Sequence, residues 1–400
     1  MPRKQRTTRR NFLRGAAGAA AAPLFVRSSA FGANDKLTMG CIGLGGQGSG
    51  DMRGFMGFSD LRVLAVCDVR KANRDRAKGS VDKHYNNQDC TAHNDFREVI
   101  DRKDVDTILI ATPDHWHAII GAHAIKNGKD VYSEKPETLT VREGRILVQT
   151  ARRYGRVYSG GSQRVWGDYN WFHRMVRGGA IGEVKEAFVD CWGPSTDCYL
   201  PPQPIPPDID WEMWLGPAPW APYNSGRLNF RPWRDYSGGG MTDWGAHNFG
   251  GALFTMNLHR TGPVEVIPPG VNGETLLTFV FANGVRMHHK GGWGGHLCFR
   301  GTDGEIPARD KSRIAPPNIH IPNYKGHGGI FGDFLHCVRT RELPFRDIEL
   351  GHRTVTVCHL GNIAYWLGRA FKWDPEKEEV VGDPEVARWL DRPKREPWTL

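Results

Sequence analysis

Four hundred residues, 39% hydrophobic and 24% charged, are enough for two or three domains with substantial cores. The formal charge of +9 does not indicate a nucleic-acid binder, because residues 1–32 hold Arg3, Lys4, Arg6, Arg9, Arg10, Arg14 and Arg27 without one acid, leaving the rest nearly neutral. No apolar run is long enough to anchor the mature chain in a bilayer, and eight cysteines without C-x-x-C spacing point to neither a zinc site nor a disulfide scaffold.

Residues 1–33 read as an export signal. Thr8-Arg9-Arg10-Asn11-Phe12-Leu13-Arg14 is a twin-arginine pattern, followed by a weakly hydrophobic Gly/Ala stretch to Val26 and small residues at Ala30-Phe31-Gly32. The expected partner is the twin-arginine export machinery, which carries folded proteins. The expected location is the periplasm or the outside of a bacterium.

Residues 34–160 read as a nucleotide-binding domain. A strand from Leu37 to Ile42 leads into Gly43-Leu44-Gly45-Gly46-Gln47-Gly48, a helix, and a strand from Leu61 ending at Asp68. This is G-x-G-x-x-G in its required strand–turn–helix setting, with an acid at the end of the second strand. Gly43 allows the tight turn, Gly45 lets backbone approach a pyrophosphate, and Gly48 lets the helix pack closely. Phosphates then meet free N–H groups at a helix N-terminus. Asp68 would take the ribose hydroxyls, favouring NAD over NADP, while nearby Arg70 works against that preference. The competing reading is a glycine-rich surface turn.

Helices are expected over Lys71–Lys83, Asp95–Asp101, Asp114–Lys126 and Thr140–Tyr154, with strands at Val105–Ala111, Asp130–Ser133 and Val157–Ser159. This alternation predicts a doubly wound parallel sheet whose ligands lie at the carboxyl ends of the strands. Gly43–Gly48, Asp68, Thr112–His117 and Glu134–Pro136 all fall there. Lys135 could hydrogen-bond a substrate hydroxyl beside the cofactor, or be an ordinary loop lysine.

The pattern changes in residues 161–400. A helix over Trp171–Arg177 and a strand over Glu183–Trp192 precede a long irregular segment, Gly193–Gly240. It holds ten of the 26 prolines and many of the tryptophans. Such a segment could cover the sheet, line a sugar site or join subunits. Further strands are expected at Thr275–Ala282, Val285–Lys290 and His296–Gly301, the first two joined by the hairpin signal Asn283-Gly284. Helices follow at Gly329–Arg341 and Gly351–Arg369, then a charged tail from Lys372. Asp243 and His247, four apart, share one face of a helix running to Met256 and could pass a proton. Asp243 could equally be an N-cap and His247 a core residue. The histidines of this half lack ligand spacing, so no metal is expected.

The motifs Gly43-x-Gly45-x-x-Gly48, Thr112-Pro113-x-x-x-His117, Glu134-Lys135-Pro136 and Asp243-x-x-x-His247 resemble those of the Gfo/Idh/MocA oxidoreductases. Asp208-Ile-Asp-Trp211 with Trp214-Leu-Gly-Pro217, and Cys358-His-Leu-Gly-Asn-Ile-Ala-Tyr365, resemble the bacterial-type C-terminal domain of exported members. The resemblance implies an α/β protein: a Rossmann doubly wound parallel sheet plus a C-terminal α/β domain with an open, mostly antiparallel sheet, often paired into homodimers or homotetramers. It implies an NAD(P)-dependent oxidoreductase acting on a sugar, sugar derivative or cyclitol. Lys135, Asp243 and His247 would be catalytic. Gly43, Gly45, Gly46, Gln47, Gly48, Asp68, Thr112, Pro113, His117, Glu134 and Lys135 would bind cofactor, and Arg164, Tyr236 and His327 would touch substrate. Two alternatives are a redox-neutral NAD-dependent glycoside hydrolase or lyase and a non-catalytic sugar-binding protein. An exported dinucleotide enzyme further implies NAD that leaves the cell tightly bound and is recycled in each turnover.

Overall fold

Two sheets carry the chain. The computed structural model describes residues 36–291 and 296–400; the twin-arginine leader lies outside the described residues. The first sheet holds β1 (Leu37–Ile42), β2 (Leu61–Cys67), β3 (Thr91–His93), β4 (Thr107–Ile110), β5 (Asp130–Ser133) and β6 (Tyr158–Gly160). Every pairing is parallel, in the order β3-β2-β1-β4-β5-β6. Central strands of such a sheet are covered on both faces, and β4 and β5 are buried throughout. Strand order reverses between β1 and β4, so a crevice opens at their carboxyl ends.

The second sheet holds β7 (Val184–Val189), β8 (Glu265–Ile267), β9 (Leu277–Val280), β10 (Arg286–His289), β11 (Leu297–Gly301), β12 (Glu305–Pro307), β13 (Phe371–Asp374) and β14 (Glu379–Val381). Its order is β12-β11-β7-β10-β9-β8-β13-β14. Only the β7–β10 pairing is parallel; the others are antiparallel. Asn283-Gly284 turns the β9–β10 hairpin, Gly284 at φ +83° and the Asn283 side chain accepting from Val285 N at 3.2 Å. Met241, Phe249, Leu253, Leu277, Phe279, Val357, Leu360 and Ile363 form the core between this sheet and the helices Gly245–Thr255 and Ile348–Leu367.

Four local expectations are corrected. The residues after Lys372, read as a charged tail, include part of β13 and all of β14, because Phe371 and Trp373 alternate inward. Strands β3, β8 and β12, three residues each, gave no detectable period. The last long helix starts at Ile348, where Asp347 caps Glu349 N at 3.1 Å. The helix expected from Asp243 begins earlier, at Gly240, and Trp244 joins Gly240–Asp243 to Gly245–Thr255 in helical conformation, so Asp243 lies inside it and is not an N-cap.

The proline- and tryptophan-rich segment has its own small core, in which the Trp211 and Trp214 rings stack at 4.7 Å. It is fastened across the carboxyl edge of the first sheet. Trp116 Nε1 donates to Trp214 O at 3.1 Å, His115 Nε2 lies 3.0 Å from the same oxygen, and Lys71 N donates to Asp208 O at 2.8 Å. The reading that it covers the sheet describes most of it.

A half-buried ionic cluster ties the Rossmann helix Val141–Tyr154 to the C-terminal elements. Glu378 Oε1 lies 2.5 Å from Arg145 Nη2 and 2.9 Å from His352 Nε2, while Arg145 also reaches Glu349 at 2.8 Å. Burial pushes the Glu378 carboxyl up, but the hydrogen bonds from Arg145 and His352 outweigh it and hold the carboxyl down from 4.5 to about 2. A depressed acid contributes stability that is present above its unfolded value and lost as pH falls through the folded one. Acidification from about pH 4.5 to about 2 is therefore expected to remove it. Glu378→Gln, which leaves Arg145 with Glu349 alone, should cost about 1–3 kcal/mol in urea denaturation at neutral pH. A variant as stable as the parent would show the cluster to be energetically idle.

Candidate functional site

The glycine turn is built to be approached. Gly43 has φ +84°, and a Cβ there would lie 2.5 Å from Thr112 N. A Cβ on Gly48 would lie 2.0 Å from Gly43 O. Gly45 and Gly46, in contrast, face open space with nothing within 4 Å of a built Cβ. The helix Gly46–Met56 begins there with no side-chain cap and no acid in its first turn. Its leading N–H groups thus point into a space that would suit a diphosphate.

That space continues as a cavity of about 310 Å³. Gly43, Gly45, Gly46, Gln47, Gly48, Asp68, Thr112, Pro113, His117, Glu134 and Lys135 all line it. The irregular segment supplies the opposite wall with Met213, Trp214, Leu228, Phe230 and Arg231. Thr112 Oγ1, Asp114 Oδ2 and Glu134 Oε1 are buried here without a protein partner, a set of unmet polar groups that fits a polar ligand. The residues present therefore fit a dinucleotide. Asp68, at the end of β2, accepts from Leu44 N at 2.7 Å, Arg70 N at 2.8 Å and Asn73 Nδ2 at 3.2 Å. Burial pushes its carboxyl up despite these donors. Arg70 itself turns toward Asp208, 3.8 Å away.

His117 spans two loops. Its Nδ1 lies 2.7 Å from Pro136 O and its Nε2 2.7 Å from Thr112 O. Burial lowers it to about 4, so near pH 7 it is neutral and its single N–H donates to one of these two carbonyl oxygens at a time. The Lys135–Pro136 peptide bond is cis. Glu134 and Asp51 are buried together beneath the glycine-loop helix. Desolvation and mutual repulsion raise Glu134 to about 8, and desolvation raises Asp51 to about 6.

Beside Arg231 on the cavity wall, Lys135 Nζ lies 2.5 Å from Asp243 Oδ1, and Arg231 Nε lies 3.0 Å from Asp243 Oδ2. Burial works to raise Asp243, but the two cations overcome it and hold the acid ionised. Asp114, one helical start away and bonded by Ser237, is raised by burial to about 7. His247 is buried, and its Nδ1 has no partner among the described residues. Desolvation, then Lys135, Arg164 and Arg346, holds it well below 6.5 and therefore neutral. The pairing of Asp243 with His247 inferred from their spacing is not what the structure shows. Asp243 is instead paired with Lys135 and Arg231, both from outside its helix.

The three suggested substrate contacts separate. Tyr236 is buried in the core of the irregular segment, its hydroxyl accepting from Arg227 Nη1 at 3.1 Å, and it lines neither cavity. His327 is exposed beside the helix Gly329–Thr340 and lines neither cavity. Arg164 lines a second cavity of about 820 Å³ along β7 and β11, paired to Asp168 at 2.5 Å and stacked 4.8 Å from the Trp244 ring. Arg231, Asp114 and Asp51 were not singled out in the sequence. Asp114 stands inside a recognised motif, between Pro113 and His117, whereas Arg231 lies in a stretch without period. Among the described residues no cluster of three or more His, Cys, Asp or Glu side chains could hold a metal ion. No described helix is long and apolar enough to cross a membrane.

Fold and site together define a two-domain dinucleotide-binding protein with an oxidoreductase architecture. Two family models match it: the oxidoreductase family NAD-binding Rossmann fold over residues 37–162, and the oxidoreductase family C-terminal alpha/beta domain over 187–400. The chain belongs to the Gfo/Idh/MocA oxidoreductase family. Among curated relatives, a glycosyl hydrolase family 109 protein of Shewanella baltica (strain OS155) is 31% identical over 174 residues, covering 36% of this chain and 37% of the relative. Another, from Shewanella sp. (strain W3-18-1), is 32% identical over 122 residues, covering 30% of this chain and 27% of the relative. The chain thus spans well under half the length of these relatives. Among solved structures, scyllo-inositol dehydrogenase from Lactobacillus casei, with NAD(H) and scyllo-inositol, is 16% identical with a TM-score of 0.60, covering 84% of this chain and 99% of that one. These figures establish a shared fold.

Proposed function

We propose that this protein is an NAD(P)-dependent oxidoreductase that passes a hydride between a hydroxyl-bearing carbon of a sugar or cyclitol and a tightly held cofactor. NAD is the preferred form, because the Asp68 carboxylate stands at the ribose end and repels a 2′-phosphate. The observation carrying this reading is Lys135, which lines the cofactor cavity and is paired with Asp243. When bound, the dinucleotide supplies the hydride acceptor. The Lys135 ammonium, fixed by Asp243, hydrogen-bonds the reacting oxygen and stabilises alkoxide character as the C–H bond weakens. Neutral His247 is in the protonation state needed to take the hydroxyl proton. The wall supplied by the irregular segment keeps water from the reacting atoms.

The leader supports an exported protein of the periplasm or cell exterior, carried out folded with its cofactor. The mostly antiparallel second sheet is compatible with pairing into homodimers or homotetramers. The names of the matched relatives favour one second reading, a redox-neutral glycosidase that oxidises its sugar transiently and reduces it again. Both readings require bound nucleotide. Denaturing purified, natively exported protein should release a nicotinamide nucleotide detectable by absorbance. A screen against monosaccharides, cyclitols and aryl glycosides then separates them. Net reduced nicotinamide supports the first reading, aglycone release without it supports the second, and protein that neither contains nor takes up nucleotide overturns both.

A further inference from the structure

The catalytic end of the cavity is unevenly charged. Lys135 and Arg231 both converge on Asp243, so two cations share one carboxylate. The other acids nearby do not restore balance. Glu134 is raised to about 8, and Asp114, at about 7, is half protonated at neutral pH. His117 and His247 are neutral. In a cavity walled by Trp214, Leu228, Phe230 and Met213, an excess positive charge favours an anionic ligand.

Arg231 is placed to receive that ligand. Its Nε is anchored on Asp243, and its guanidinium lies 4.9 Å from the Phe230 ring centre, which fixes the plane of the group. Its side chain is 48% exposed, and its two terminal nitrogens make no hydrogen bond or ion pair with any described residue. A planar fork held at one nitrogen and open at the other two matches the two oxygens of a carboxylate. Arg231 shares Asp243 with Lys135, so it addresses the reacting end of the cleft, not the phosphate-binding end at Gly43–Gly48.

We infer that the substrate is an acidic sugar, a uronic or aldonic acid, whose carboxylate is gripped by the free fork of Arg231 while its reacting hydroxyl meets Lys135. The inference rests on the oxidoreductase reading and narrows it. The carboxylate is not consumed; it is a handle that orients the ring and holds the hydroxyl beside the ammonium.

Paired probes test it on the holoprotein: D-glucuronate against D-glucose, and D-galacturonate against D-galactose, by calorimetric binding and by turnover. At least one acid should bind and react with kcat/KM roughly tenfold or more above its neutral partner, a preference that weakens as salt rises. Arg231→Gln should abolish the preference mainly by raising KM for the acid, and Arg231→Lys should restore part of it. The methyl ester of the preferred acid, tested on the unaltered protein, should behave like the neutral sugar, which keeps the test independent of the folding of any variant. Neutral sugars used equally well, a preference that survives Arg231→Gln, or failure of every acid to bind would each overturn the inference. Turnover of neutral sugars by nucleotide-loaded protein would leave the oxidoreductase reading standing, whereas absence of nucleotide would remove that reading itself.

Discussion

Lys135→Ala is expected to lower turnover by roughly 10²–10⁴-fold, the range for loss of a positioned proton-transfer or oxyanion-stabilising group. The side chain is well placed for so large an effect. It projects from the end of β5 into the cofactor cavity, is only 13% exposed, and is held at 2.5 Å by an acid from the other domain. The same variant should bind nucleotide normally, because the turn that would cradle the phosphates lies at the far end of the cavity. It should also fold, because Asp243 keeps Arg231 as a partner at 3.0 Å and no unpaired buried carboxylate is created. Bound nucleotide per chain, thermal unfolding and single-turnover rate measured on one preparation separate these expectations. Retention of full turnover would remove Lys135 from the chemistry and with it the proposed mechanism. A protein that only binds sugars has no turnover to lose.

What the sequence could disclose followed the physics of each feature. A parallel β–α alternation writes itself as apolar runs separated by amphipathic helices, so the first sheet was readable nearly strand by strand, and the helix Asp114–Lys126 is found at its expected bounds. The glycine turn was readable because its conformations exclude other residues. Short edge strands such as β12 and β14 have too few residues to display a period. The catalytic end was half legible. Lys135 stands in a motif at a strand end, and its partner Asp243 was named, but the partnership was misread. Spacing along a helix says which side chains share a face, not which of them pair, and two cations from other elements occupy Asp243. Arg231 was out of reach for a different reason. It is brought to Asp243 by the packing of Trp211, Trp214 and Tyr236 and by backbone bonds to Trp116 and Lys71, none of which is periodic. Long irregular segments position residues by tertiary contacts, and those contacts are not written locally.

The glycine turn offers a contrast in which two neighbouring substitutions should behave oppositely. A Cβ on Gly48 would sit 2.0 Å from Gly43 O and 2.9 Å from the Ala111 Cβ. One obstacle is the backbone of the turn and the other belongs to the end of β4, so neither can swing aside as a long side chain could. Gly48→Ala must push the helix Gly46–Met56 away from the sheet, and overpacking of this kind costs about 1–3 kcal/mol even in more forgiving cores. Displacing the helix also moves its leading N–H groups, so nucleotide retention should fall together with stability. Gly46 is the control. Its built Cβ meets nothing within 4 Å, and alanine in the first turn lowers the entropy lost on folding, so Gly46→Ala should unfold at or slightly above the parent temperature. Any loss of nucleotide in that variant would then report on the open face alone, where a methyl group competes with a phosphate for the same space. Thermal unfolding with and without added NAD measures both effects. Equal stability of the two variants would mean that the close approach of Gly48 to Gly43 does not hold the helix against the sheet. Full nucleotide retention by Gly48→Ala would mean that the turn is not where the dinucleotide is held.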